Sequence, residues 1–256
     1  MIKDELAYVS GLKEFPLIKR GSRSKLVKLI QEWLCLNNLS VVIDGDYGPA
    51  TEEAIKKFQS LNLPFYNEYN KAYPTGETDS PTFKLLTAPM KAVVDKHHGC
   101  PSLWKTVIFY ARLHYKQHPR EIGGQNRGPW VRLYMDGHDG KAYPWCAGFV
   151  SHVVGQACRA MDIEMPFKTT WSVPSLARDA KNKGIFLSGR NGKPNPGYIF
   201  LQKSRRGYSH TGLVIARGIN TFTSIEGNTN DDGSAEGYEV CSRTRSCKNK
   251  EYVVIE

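Results

Sequence analysis

Pro144-Trp145-Cys146-Ala147-Gly148-Phe149-Val150 places a cysteine where a helix should begin, and the reading of the fold works outward from it. The proline closes the approach, and Phe149, Val150 and Val153 supply the helical period that follows. Upstream, Leu103–His114 (LWKTVIFYARLH) reads as another helix, followed by a Gly/Asn-rich loop at Gly123–Gly128. Downstream the pattern turns to short strands, at Tyr198–Leu201, His210–Ala216, Thr221–Ile225, Tyr238–Arg243 and Tyr252–Ile255. Helices first and strands after predict an α+β domain with an antiparallel sheet over residues 101–256.

The N-terminal part has a different texture. Lys25–Leu36 (KLVKLIQEWLCL) carries Leu26, Leu29, Ile30, Trp33 and Leu34 as one apolar stripe. Asp44-Gly45-Asp46-Tyr47-Gly48-Pro49 reads as a loop, and Thr51–Gln59 as a second helix with Ala54, Ile55 and Phe58 on one face. A shorter echo follows at Thr75-Gly76-Glu77-Thr78-Asp79-Ser80-Pro81, where Gly and Asp again lead into a capped helix. Two such units form a weak internal repeat. The expected organisation is an N-terminal extension at 1–16, a compact three-helix domain at 17–88, a linker at 89–100 and the α+β domain at 101–256.

Charge divides along the same line. The chain has 256 residues and a formal net charge of +10. Residues 1–90 hold 11 Lys+Arg and 11 Asp+Glu, so the whole excess lies beyond them. A basic surface draws polyanions such as nucleic acid, acidic membranes or anionic wall polymers, and charge alone does not choose among them. Arg205-Arg206 and Arg243-Thr244-Arg245 read as solvated faces. No run approaches the ~20 apolar residues that span a bilayer, and Met1–Ser10 carries acids where a signal peptide needs a basic end and an apolar run. The expectation is synthesis in the cytoplasm, no membrane insertion, and action elsewhere only after release or non-standard export. Six scattered cysteines without a CxxC pair argue for free thiols and against structural zinc. His97-His98 with Cys100 reads as a solvated linker, and no metal site is expected.

The chemistry centres on Cys146. A helix N-terminus favours a thiolate through its free N–H groups and dipole. The small residues after the cysteine would leave room for a substrate. A thiol nucleophile needs a base, and His210 opens the strand Tyr208-Ser209-His210-Thr211-Gly212-Leu213-Val214-Ile215. His152 lies about 600° around the helix from Cys146 and points away from it, while His114 and His118 sit at a helix end that favours a cationic ring. The imidazole in turn needs a polar partner. Glu226 and Asn228, two apart in Ile225-Glu226-Gly227-Asn228-Thr229, would project to the same side of an extended strand next to that of His210.

Cys146, His210 and Glu226/Asn228, in that order and on those elements, resemble the cysteine, histidine-dependent amidohydrolase/peptidase (CHAP) family over about Pro101–Glu256. Glu121-Ile122-Gly123-Gly124-Gln125-Asn126-Arg127-Gly128-Pro129-Trp130 resembles the loop preceding the cysteine in a subgroup common in phage and bacterial lysins. Pro196-Gly197-Tyr198 departs from the family's usual Pro-Gly-Asp, which touches a turn and not the chemistry. Residues 17–88 separately resemble the three-helix peptidoglycan-binding domain type 1, on Leu29–Leu34, Asp44–Thr51, Ala54–Gln59 and Thr75–Asp79. These resemblances imply a papain-like fold for the second domain and, for the chain, a monomeric peptidoglycan amidase or endopeptidase that needs no cofactor. Cys146 would be the nucleophile, His210 the base, Glu226 the orienting acid and Asn228 a further polar member, with Trp145, Gln125, Asn126 and Arg127 lining the cleft. The rival expectations are a wall-binding protein with an inactive hydrolase domain, a secreted antibacterial effector amidase, and a nucleic-acid binder, for which only the charge speaks.

Overall fold

The computed structural model describes residues 2–69, 72–97, 100–190, 192–205, 207–230 and 237–256. Of the residues singled out above, His98 and Arg206 lie outside the described residues. Chain contacts divide the molecule into a first unit, residues 1–95 with 122–124, and a second, residues 96–121 with 125–256.

The first unit is helical: α1 (Ile2–Val9), α2 (Lys25–Leu36), α3 (Pro49–Leu61), α4 (Leu63–Tyr66), α5 (Ser80–Leu86) and α6 (Ala88–Val94). Caps set the helix starts. Ser24 accepts from the Val27 N–H, and Asp79 from the Thr82 N–H with Pro81 in the first turn. Ile30, Trp33, Leu34, Tyr47, Ile55, Phe58, Phe83 and Leu86 form the buried core.

Two buried glutamines organise the loops. On α2, the Gln31 Oε1 accepts from the N–H groups of Asp44 (3.0 Å) and Gly45 (2.8 Å). Its Nε2 donates to Asp44 Oδ1, the Asp46 carbonyl and Thr51 Oγ1. On α3, Gln59 repeats the pattern, accepting from Thr75 (2.8 Å) and Gly76 (3.0 Å) and donating to the Glu77 carbonyl, Thr75 Oγ1 and Thr82 Oγ1. The internal repeat is thus a physical one: a helix glutamine holding the Gly loop that launches the next helix.

The unit is larger than a three-helix reading of residues 17–88 allows. Tyr8 on α1 and Phe15 pack with Phe83, whose ring stacks on that of Phe15 at 3.8 Å. Helix α6 takes up residues 89–94 of the expected 89–100 linker and buries Met90 and Val93. Helices α1 and α6, of eight and seven residues, are too short to show a clear helical period in the sequence.

The second unit contains α7 (Leu103–Lys116), α8 (Pro129–Tyr134), α9 (Cys146–Met161) and α10 (Val173–Asn182). Its strands are β1 (Phe186–Ser188), β2 (Ile199–Ser204), β3 (Gly207–Arg217), β4 (Thr221–Thr229), β5 (Glu239–Ser246) and β6 (Lys250–Val253). The strands form one antiparallel sheet in the order β1-β6-β2-β3-β4-β5. The α+β class and the antiparallel sheet are as expected; α8, α10 and β1 are additional. Helix α9 packs on β3 and β4, with α7 and α8 against it. Gly227 on β4 permits this approach, since a Cβ there would lie 2.7 Å from both Phe149 Cβ and Trp145 Cζ3. Phe200, Val214, Phe222 and Tyr252 form a further buried cluster on the sheet.

Gln31→Ala and Gln59→Ala should each destabilise the first unit by about 2–3 kcal/mol, because two loop amides lose their acceptor at once. Urea melts followed by circular dichroism would measure this. Losses under about 0.5 kcal/mol would show that water replaces the amide and that the glutamines do not hold the loops.

Candidate active site

Cys146 is the first residue of α9 and retains 5% exposure. Trp145 precedes it as N-cap, and no side chain caps the helix, so the first-turn amides are left to act on the sulfur or on a bound oxyanion. Trp145 is buried, stacks on Tyr134 (5.4 Å between centroids) and donates its indole N–H to Glu121 Oε1 at 2.9 Å. Glu121 Oε2 accepts from the Asn126 N–H at 2.7 Å. Burial raises the Glu121 pKa against the pull of these two donors.

His210, on β3, is also buried. Its Nε2 meets Glu226 Oε2 at 2.8 Å. Nδ1 is buried without a hydrogen-bond partner, and besides Glu226 the group that acts on the ring is the Cys146 thiol. Catalytic hydrogen bonds commonly tighten only when substrate binds. Burial works against the charged ring. Hydrogen bonding and charge from Cys146 and Glu226 outweigh it and lift the His210 pKa to about 9.

Glu226 has no exposed surface. Besides His210 it holds Arg245, whose Nε donates to Oε1 (2.8 Å) and Nη2 to Oε2 (2.6 Å), and it accepts from Ser224 Oγ. Burial would raise its pKa, but Arg245 and His210 bring it down to about 2. Two opposed cations therefore keep this carboxylate ionised out of water. Gly212 makes space for it, since a Cβ there would stand 2.6 Å from Glu226 Cγ.

The structure brings Cys146, His210 and Glu226 together. Asn228 is different. The register between β4 and β5 shifts between Glu226 and Thr229, and Asn228 takes a left-handed conformation (φ 55°). The same-side argument for an extended strand therefore does not apply, and its buried Oδ1 has no hydrogen-bond partner. Of the residues expected to line a cleft, Gln125 and Arg127 are exposed, whereas Asn126 and Trp145 are buried. Asn126 shapes its loop, with φ 52° and Nδ2 donating to the Lys141 carbonyl at 3.2 Å. The small residue after the cysteine also serves packing and not substrate room. A Cβ on Gly148 would lie 2.5 Å from Met135 Sδ and 2.6 Å from the Tyr134 carbonyl oxygen.

Two further expectations change. His114 is not a cationic helix-end residue. It is fully buried between Tyr134 Oη (2.9 Å) and Gln156 Oε1 (2.7 Å), and burial pushes its pKa down to about 4. Arg245 is no solvated-face residue, because it carries the bidentate contact to Glu226. The signal lay in the strand period. Cys241, Arg243 and Arg245 pair with Glu226, Ser224 and Phe222, which share one face of β4. Among the described residues no cluster of His, Cys, Asp or Glu could hold a metal ion, and no helix is long and apolar enough to cross a membrane.

No curated protein and no solved structure matches this chain. Residues 23–63, spanning α2 and α3, match the family model described as a putative peptidoglycan binding domain. The first unit accordingly carries a segment similar to that domain, which supports peptidoglycan as a partner of this chain and an association with the cell wall.

Proposed function

We propose that the chain is a peptidoglycan hydrolase that cuts amide bonds with Cys146 as nucleophile, its second unit being a CHAP-like, papain-like domain. The observation that carries this reading is the Cys146–His210–Glu226–Arg245 relay, with the sulfur at a helix start and the imidazole charged and oriented from behind. The match at residues 23–63 supplies the polymer.

In this mechanism the Cys146 thiolate attacks an amide carbon, forming a C–S bond and a tetrahedral oxyanion held by first-turn amides of α9. His210 gives its Nδ1 proton to the leaving nitrogen, the C–N bond breaks, and a thioester remains. Neutral His210 then takes a proton from water, whose oxygen attacks the thioester and expels the thiolate. Glu226 keeps Nε2 engaged, so that Nδ1 is the nitrogen left for the reaction. The amide could join sugar to peptide or lie within stem and cross-bridge peptides. Mass spectrometry of fragments released from purified murein would identify it.

A second reading, a wall-binding protein without hydrolytic activity, draws on the near-complete burial of Cys146. Alkylation separates the two. Iodoacetamide should label Cys146 rapidly at neutral pH in the native chain and slowly in His210→Ala. Native labelling no faster than in His210→Ala would favour the inactive protein. Cys146→Ala should abolish turbidity clearing of wall suspensions while retaining wall binding, and undiminished clearing would remove Cys146 from the mechanism.

The charge relay also sets a pH dependence. With its pKa raised to about 9, His210 keeps its proton in the folded chain above its ordinary 6.5. The stabilisation is complete below about 6.5 and is lost as pH rises through about 9. Glu226, lowered to about 2 from 4.5, contributes fully above about 4.5 and loses its contribution as pH falls through about 2. Activity should fall on an alkaline limb near 9. Glu226→Gln, which removes the anion behind the ring, should move that limb down by more than about one pH unit. An unmoved limb would show that Glu226 does not act on the histidine. Arg245→Met should cost about 3–5 kcal/mol of stability, because it leaves a buried carboxylate short of a cation; chemical denaturation would test this.

A further inference from the structure

Three exposed or half-exposed aromatic rings converge beside the start of α9, and the relay at Cys146 uses none of them. Trp171 is 39% exposed, His138 is exposed and Tyr143 half-buried. The His138 ring stacks on Tyr143 at 5.3 Å and 21°, and meets Trp171 edge-on at 5.1 Å and 63°.

The three rings come from separate segments that α9 ties together. Tyr143 lies three residues before Cys146, within about 11 Å along the chain. His138 follows Met135, which packs on Gly148. Trp171 follows Thr170, whose carbonyl accepts from Ser151 Oγ at 2.8 Å while its N–H donates back to the same hydroxyl at 3.2 Å. Ser151 is a little over one helical turn from Cys146, about 7.5 Å along the axis. The cluster therefore gathers around the first turns of α9, with Tyr143 the ring nearest to Cys146 along the chain.

We propose that Trp171, His138 and Tyr143 form a saccharide subsite that seats a sugar ring of the peptidoglycan glycan strand next to the bond being cut. The proposal rests on the hydrolase reading for its placement beside the nucleophile. The occupant follows from the chemistry of the patch. Aromatic rings with flat apolar faces and polar tips suit a ligand that is apolar on one face and hydroxylated at its edge. Asp136 and Lys141, each two residues from a ring of the cluster along the chain, are exposed polar groups of the kind that pair with hydroxyl and acetamido groups. An apolar protein partner would instead call for a larger aliphatic patch without charges at its border. The polymer with such rings is the one that the match at residues 23–63 assigns to this chain.

The test uses the full-length Cys146→Ala chain and, as probe, a peptide-free N-acetylglucosamine–N-acetylmuramic acid oligosaccharide. Histidine side-chain NMR reports on His138 itself, so sugar held by residues 23–63 does not enter the signal. The oligosaccharide should shift the His138 resonances. Trp171→Ala should weaken that response by roughly tenfold, the loss of one ring contact, and Trp171→Tyr should restore most of it. If the oligosaccharide leaves His138 unmoved, or free stem peptide moves it equally, the subsite is overturned. Wild-type turbidity clearing is measured in parallel. Shifts at His138 without any clearing would overturn the hydrolase while leaving the sugar site in place, so the two failures are told apart.

Discussion

A carboxylate without access to water must be matched by opposite charge and by hydrogen bonds, and the second unit is arranged around meeting that demand at Glu226. The partners come from three strands: His210 from β3, Ser224 beside Glu226 on β4, and Arg245 from β5. None of them is close to the others through short chain segments except Ser224, so the sheet has to be in register before the charge is compensated. A one-residue slip of β5 would send Arg245 to the opposite face and strand the anion. In the mechanism proposed above, the same contacts decide which nitrogen reacts. With Nε2 committed to Glu226, the imidazole presents Nδ1 to the sulfur, and the proton that charges the ring is held by the anion behind it.

The first unit solves a related problem without charge. Loops that carry glycine turns expose backbone N–H groups, and burying such loops requires acceptors. Gln31 and Gln59 each supply one carbonyl to two successive amides and one NH2 to the acceptors opposite. The side chains that do this are neutral, and in the first loop the Asp46 N–H and Gln31 together hold the Asp44 carboxyl below its ordinary pKa. The hydrophobic stripes of α2 and α3 bring the helices together, and the glutamines then set which loop conformation follows each helix.

How much of this could be read in advance depended on whether the signal was local. The start of α9, the strand carrying His210 and the polar end of β4 were legible because each rests on a short pattern: a Pro-Trp before a helical period, β-branched residues after a histidine, a carboxylate ending an apolar strand. Arg245 was missed because its role depends on a register spanning β4 and β5, and Arg243-Thr244-Arg245 looks the same on paper whether it faces water or a buried anion. The same-side placement of Asn228 did not hold, for the opposite reason. Its reading assumed a regular strand, and a left-handed residue at a register shift leaves no mark in a single sequence beyond the preceding glycine. His114 sat at a helix end as expected, but its charge state was set by Tyr134 and Gln156, which reach it only in the folded chain.

The glycines around Cys146 show how the first turn of α9 is held. Gly148 allows the end of α8 and Met135 to press on the first turn of α9, and Gly227 allows Trp145 and Phe149 to press on β4. Trp145 is further tied to Glu121. The backbone that carries the sulfur is thus gripped from the loop, from α8 and from the sheet. Preorganised donors and charges gain their catalytic value from not having to rearrange as the reaction proceeds. Under the hydrolase reading proposed above, a site built this way places the burden of approach on the polymer, whose peptide must be delivered to a nearly closed surface. That division of labour is why binding elements outside the relay matter to the chemistry: a rigid, buried thiol is productive only if something else holds the substrate against it.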